Sequence, residues 1–89
     1  MNEKKPLKAK NFKVLDYKGT LYGTFDGSSI WKIDKIAFGL LKRCDGKKTF
    51  EQIIQEVAEK ANLSVEDVRN AVKPIFDEFT RMKFIEWID

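Results

Sequence analysis

The sequence predicts an α+β domain, winged-helix-like, in which a three-stranded antiparallel sheet is followed by a three-helix cluster. Three observations lead there. Between Phe12 and Ile33 apolar residues alternate with polar ones, and the alternation is interrupted at Lys18-Gly19 and Asp26-Gly27, pairs that turn one run of chain into consecutive hairpins. From Asp34 onward apolar residues recur every three or four positions instead, in three blocks opened by Asp34, Thr49 and Ser64, each a good helix cap. The chain has 89 residues, enough for one core that a small sheet and three helices share by packing together.

The first strand is read over Phe12–Tyr17, the second over Thr20–Phe25 and the third over Ser28–Ile33. Asp26-Gly27 is read as a two-residue type I′ turn, because both its central residues must take positive φ and this pair tolerates it. On the third strand Ser28, Ile30 and Lys32 face one way and Ser29, Trp31 and Ile33 the other.

Asp34 caps the first helix, whose inner stripe is Ile36, Ala37, Leu40, Leu41 and Cys44, and Gly46 serves as its left-handed exit. Thr49 and Gln52 form a capping box at the start of the second, which turns Phe50, Ile53, Ile54, Val57, Ala58 and Ala61 inward. Ser64 opens the third, with Val65, Val68, Val72, Ile75, Phe76 and Phe79 along one side. Pro74 lies inside that pattern and removes the donor for the Asn70 carbonyl, which predicts a kink or a break. Phe84–Ile88 alternates and reads as a short strand or an extended tail. Residues 1–11, with Lys4, Lys5, Lys8 and Lys10, read as a flexible basic tail, leaving 12–89 as the single domain.

Composition excludes most chemistry. There is no histidine and one cysteine, Cys44, so His-based triads, zinc sites and disulfide frameworks are ruled out and no metal or cofactor is expected. Asp26, Asp34 and Asp45 are accounted for by turns and caps. The chain therefore reads as a non-enzyme with no catalytic residues. A half-buried Cys44 on a helix suits a reducing compartment, and no run approaches the roughly 20 apolar residues that cross a bilayer, so the expectation is a cytoplasmic protein with no membrane partner.

A small sheet has edges, and an edge strand accepts another chain through its unpaired backbone groups. If the strands lie in sequence order the third is such an edge, which makes peptide capture by strand addition the natural use. The alternative is a winged-helix DNA reader. Against it, the third helix opens with Glu66 and Asp67 and the net charge is only +3, so nucleic acid is disfavoured.

The run Ser29-Ile30-Trp31-Lys32-Ile33-Asp34, then Ala37, Leu40 and Leu41, then Cys44-Asp45-Gly46-Lys47-Lys48-Thr49 and Ile53, with the closing Phe84-Ile85-Glu86-Trp87, resembles the PqqD family. The resemblance spans about Phe12 to Trp87. It implies a peptide chaperone for the biosynthesis of pyrroloquinoline quinone or of related ribosomally made, modified peptides. Such a protein binds the leader of a precursor peptide and presents it to a modifying enzyme, often a radical S-adenosylmethionine enzyme. Carried over by position, the resemblance implies that Ser28, Ser29, Ile30, Trp31, Lys32 and Ile33 form the backbone rail, and that Arg69, Val72, Lys73 and Phe76 line the facing wall of a groove. Two positions depart from the family's pattern: Lys83 stands where glycine is usual, and Pro74 interrupts the groove helix.

Overall fold

The computed structural model describes residues 4–89. Of the expected tail over 1–11, the first three residues lie outside the described residues. The rest is corrected: Lys5–Lys8 form a strand, β1, that pairs antiparallel with a C-terminal strand, β5 (Ile85–Ile88), Lys5 opposite Ile88 and Lys8 opposite Ile85. On its other side β1 meets the segment after the first helix, where Lys8 N–H donates to Cys44 O and Gly46 N–H to Pro6 O. Pro6 is fully buried there, so this end of the chain belongs to the folded unit.

The expected three strands follow as β2 (Lys13–Tyr17), β3 (Thr20–Thr24) and β4 (Ile30–Ile33), an antiparallel sheet in sequence order. The tight hairpin is at Lys18-Gly19, whose φ values of 53° and 86° suit a type I′ turn closed by Tyr17 and Thr20. Asp26-Gly27 does not make the two-residue turn the sequence predicts. Pairing stops at Thr24 opposite Ile30, because the Thr24 hydroxyl accepts from Gly27 N–H and donates to Ser29 O while Asp26 Oδ1 accepts from Ser28 and Ser29 N–H. These bonds stabilise a wider loop, and the third strand begins at Ile30 rather than Ser28.

Three helices complete the fold: α1 (Lys35–Lys42), α2 (Phe50–Ala61) and α3 (Val65–Arg81). Each N-cap oxygen accepts the expected backbone N–H: Asp34 from Ala37, Thr49 from Gln52, Ser64 from Asp67. The capping box of α2 is closed reciprocally by Gln52 accepting from Thr49 N–H at 2.8 Å. Helix α1 stops at Lys42, earlier than Cys44, and Gly46 with φ 77° is a later turn rather than the helix exit. Helix α3 runs unbroken across Pro74. Pro74 and Asn70 are both exposed, so the unpaired carbonyl belongs to a water-facing stretch and the expected break does not occur.

The inner face of the sheet and the helices share one core, including Phe12, Ile33, Leu41, Ile53, Ile54, Val68, Val72, Phe76, Phe79 and Phe84. Ile36, expected inside, is exposed instead. Phe12 stacks on Phe84 with ring centroids 4.1 Å apart and lies against Gly23 of β3, where an added Cβ would fall on the Phe12 ring. A Gly23→Ala variant is therefore expected to lose about 1–3 kcal/mol by overpacking. At 4–8 °C per kcal/mol for a domain of this size, a thermal melt resolves that loss, and an unchanged melting temperature would show that the ring has room to move.

Lys83 takes φ +64° as the chain leaves α3, the left-handed region that costs a side chain about 1–2 kcal/mol and glycine almost nothing. That is a physical reason for glycine there. Since glycine also adds freedom to the unfolded chain, Lys83→Gly is expected to raise stability by up to about 1 kcal/mol. A lowered urea midpoint would contradict this account.

Candidate functional site

Strand β4 has a neighbour only in β3, and the register tells which of its backbone groups are free. In a two-residue hairpin the closing pair exchanges hydrogen bonds, and bonded pairs then alternate. With Tyr17 opposite Thr20 as that pair, Thr20, Tyr22 and Thr24 bond toward β2, so Leu21 and Gly23 bond toward β4. Their partners Ile33 and Trp31 are thereby occupied. Ile30 and Lys32 aim N–H and C=O outward, away from the sheet.

The six rail residues of the sequence reading therefore divide. Ile30 and Lys32 offer the free edge and show their side chains on the outer face, while Trp31 and Ile33 turn inward, Trp31 against Phe25 and Phe84. Ser28 and Ser29 are a correction: they belong to the loop, and both N–H groups already donate to Asp26. Those two bonds, the one from Ser29 first, hold the Asp26 carboxyl below the usual carboxylate range.

The four α3 residues divide as well. Val72 and Phe76 are 5% and 2% exposed, so both belong to the core, and each also borders a surface hollow. Arg69 grips Glu51 of α2 through Nη2 at 2.6 Å and Nε at 3.1 Å, and Glu66 at 3.2 Å. These bonds lower the Glu51 pKa and raise that of Arg69. Lys73 Nζ pairs with Asp77 at 3.3 Å. Nor do these residues meet the β4 residues around one hollow: Ile30 borders a depression on the outer sheet face, Val72 a cleft between helices, and Lys73 and Phe76 a shallow hollow beside Trp87.

The cleft that touches Val72 begins two residues beyond β4. It has a volume of about 280 Å³ between the first turns of α1 and the end of α2, and its lining includes Lys35, Ile36, Gly39, Leu40 and Lys60. Two features mark it as more than a packing gap. Ile36 is 70% exposed on its rim, and Gly39 sits mid-helix with open space where a side chain would stand. A helical glycine costs about 1 kcal/mol relative to alanine, and here it keeps the cleft open. The sequence signal for this wall was Gly39 inside an otherwise regular helix, beside an apolar Ile36 that the core does not use.

A second apolar surface covers the outer face of the sheet. Leu15, Tyr17 and Ile30 are more than half exposed there and, with Tyr22, border a depression of about 460 Å³.

Cys44 takes no part in either surface. It is buried, with Sγ donating to Leu40 O at 3.4 Å, and burial, assisted by Asp45, pushes its pKa from 9.0 up to about 12. Between those values the unfolded chain has released the thiol proton and the folded chain has not, so stability falls as pH rises from about 9 toward 12. Wild type is expected to show in this window a steeper loss than Cys44→Ala, by at most about 1.4 kcal/mol per pH unit. Equal slopes would contradict burial of the thiol.

Among the described residues no helix is long and apolar enough to cross a membrane. In the comparison with protein families, residues 14–85 match the family described as Coenzyme PQQ synthesis protein D (PqqD). No curated protein and no solved structure matches the chain.

Proposed function

We infer the function from membership and geometry together: the chain belongs to the PqqD family, whose proteins are generally non-catalytic chaperones, and its strand β4 is an edge of the three-stranded sheet with outward-facing backbone groups. The chain captures the leader of a ribosomally made precursor peptide as an added strand on β4. It presents the rest of that peptide to a modifying enzyme, a radical S-adenosylmethionine enzyme in this reading. The observation that carries the proposal is the outward-facing backbone of Ile30 and Lys32, and the open cleft at Gly39 begins two residues further along the chain. The enzyme meets the complex on the outer sheet face, where a bound strand would lie beside Ile30 and Lys32.

Backbone pairing alone falls short in magnitude. Two N–H and two C=O groups at a net 0.5–1.5 kcal/mol each give roughly 2–6 kcal/mol, whereas a micromolar complex requires about 8. Side chains of the peptide supply the difference by filling the cleft.

The test is the affinity, by fluorescence anisotropy, of a candidate precursor leader peptide for wild type and for Gly39→Leu. The substituted side chain fills the cleft and improves helix propensity, so binding is expected to weaken at least tenfold without loss of stability. Equal affinities would remove the cleft from the site, and wild type that ignores the peptide but binds a random DNA duplex would replace the proposal with DNA binding.

A further inference from the structure

Charge distinguishes the α3 side of this region from the cleft. On α3 the cations are already neutralised, Arg69 by Glu51 and Glu66 and Lys73 by Asp77. Lys32 on β4, Lys35 at the start of α1 and Lys60 at the end of α2 have no carboxylate within ion-pair distance among the described residues. No carboxylate lines the cleft, and its third cation, Arg43, is held by Glu56 at 2.7 Å. Of the acidic residues adjacent in sequence to these lysines, Asp34 has an oxygen occupied by Ala37 N–H as the cap of α1, and Glu59, next to Lys60, is exposed and outside the cleft lining.

From this we propose that the cleft selects acidic peptides: the bound segment carries an apolar side chain that seats over Gly39 against Ile36, with carboxylates on either side of it reaching Lys35 and Lys60. The inference rests on the strand-addition reading above and adds the chemical class of the peptide. A basic segment at the same place would set like charges against unneutralised lysines, which is a means of rejection as well as of attraction. Each exposed pair contributes roughly a two- to fivefold preference. The pairs act together around an apolar floor, so roughly tenfold selectivity is expected, falling as salt shortens the reach of the charges.

The experiment pans a displayed library of random twelve-residue peptides on the whole chain and on three variants. Lys35→Glu/Lys60→Glu reverses the cleft's charge. Lys10→Glu/Lys47→Glu makes the same change in net charge away from the cleft. Ile30→Pro blocks the strand edge. The proposal expects peptides enriched in Asp and Glu on wild type and on the Lys10/Lys47 variant, enriched in Lys and Arg on the Lys35/Lys60 variant, and lost on Ile30→Pro. Peptides that need Ile30 yet show no acidic bias, or a bias that Lys35→Glu/Lys60→Glu leaves unchanged, overturn the charge inference while strand addition stands. Peptides indifferent to Ile30→Pro overturn both.

Discussion

An Ile30→Pro variant folds as the wild type does and loses the precursor peptide, with affinity falling about a hundredfold or more. The two halves of that result come from one geometric fact. The Ile30 N–H lies on the outward side of β4, opposite Thr24 in a pair that the register leaves unbonded, so proline removes no hydrogen bond of the folded chain. Proline at an edge strand with its missing donor toward solvent is the placement natural sheets tolerate. A peptide strand arriving at that edge loses a donor and meets the pyrrolidine ring, which costs the bond and also the close approach its neighbours need. Two lost or lengthened bonds and the displaced side chains amount to about 3 kcal/mol, which is the hundredfold. Trp31→Pro is the matched opposite, because that N–H bonds toward Gly23 inside the sheet; it should damage the fold itself. An Ile30→Pro variant with native circular dichroism and wild-type affinity would refute strand addition.

Ile54→Asp is the change with the largest effect on stability. Ile54 is fully buried in α2, on the stripe the helix shares with Ile53 and Ala58. The substitution forfeits about 1.5–3 kcal/mol of apolar transfer and leaves a carboxylate without a partner, at several kcal/mol more. A domain of 89 residues has roughly 4–13 kcal/mol in total, so the variant is expected to be largely unfolded at neutral pH. A cooperative thermal melt near that of wild type would mean that this face of α2 is not core.

What the sequence made legible was what short-range chemistry determines. Three caps and a capping box need contacts no more than three residues away, and Asp34, Thr49, Ser64 and Gln52 make them as read. The order of β2, β3 and β4 followed from turn residues between alternating runs. The misreadings share the opposite property. Strand β1, Lys-Pro-Leu-Lys, is too short to show a periodicity in the sequence, and its partner, Ile85–Ile88, lies at the far end of the chain, where no local pattern can announce it. The loop after Thr24 is wide because a threonine hydroxyl and an aspartate carboxylate bind its backbone, a choice that Asp26-Gly27 taken alone does not reveal. At the site, the edge was legible as an edge, but which of its residues point outward required the register. The stripe of Val72 and Phe76 is equally regular whether it faces core or groove, and only packing shows that both are buried.

The most direct test of the account is amide hydrogen exchange on β4, residue by residue, with and without the precursor peptide. The account predicts at least tenfold slower exchange at Ile30 and Lys32 on peptide addition, while Trp31 and Ile33, already bonded to β3, change little. Unchanged exchange at Ile30 and Lys32 in the saturated complex would contradict it, and protection appearing instead in the first turns of α3 with a DNA duplex would assign the chain to nucleic acid.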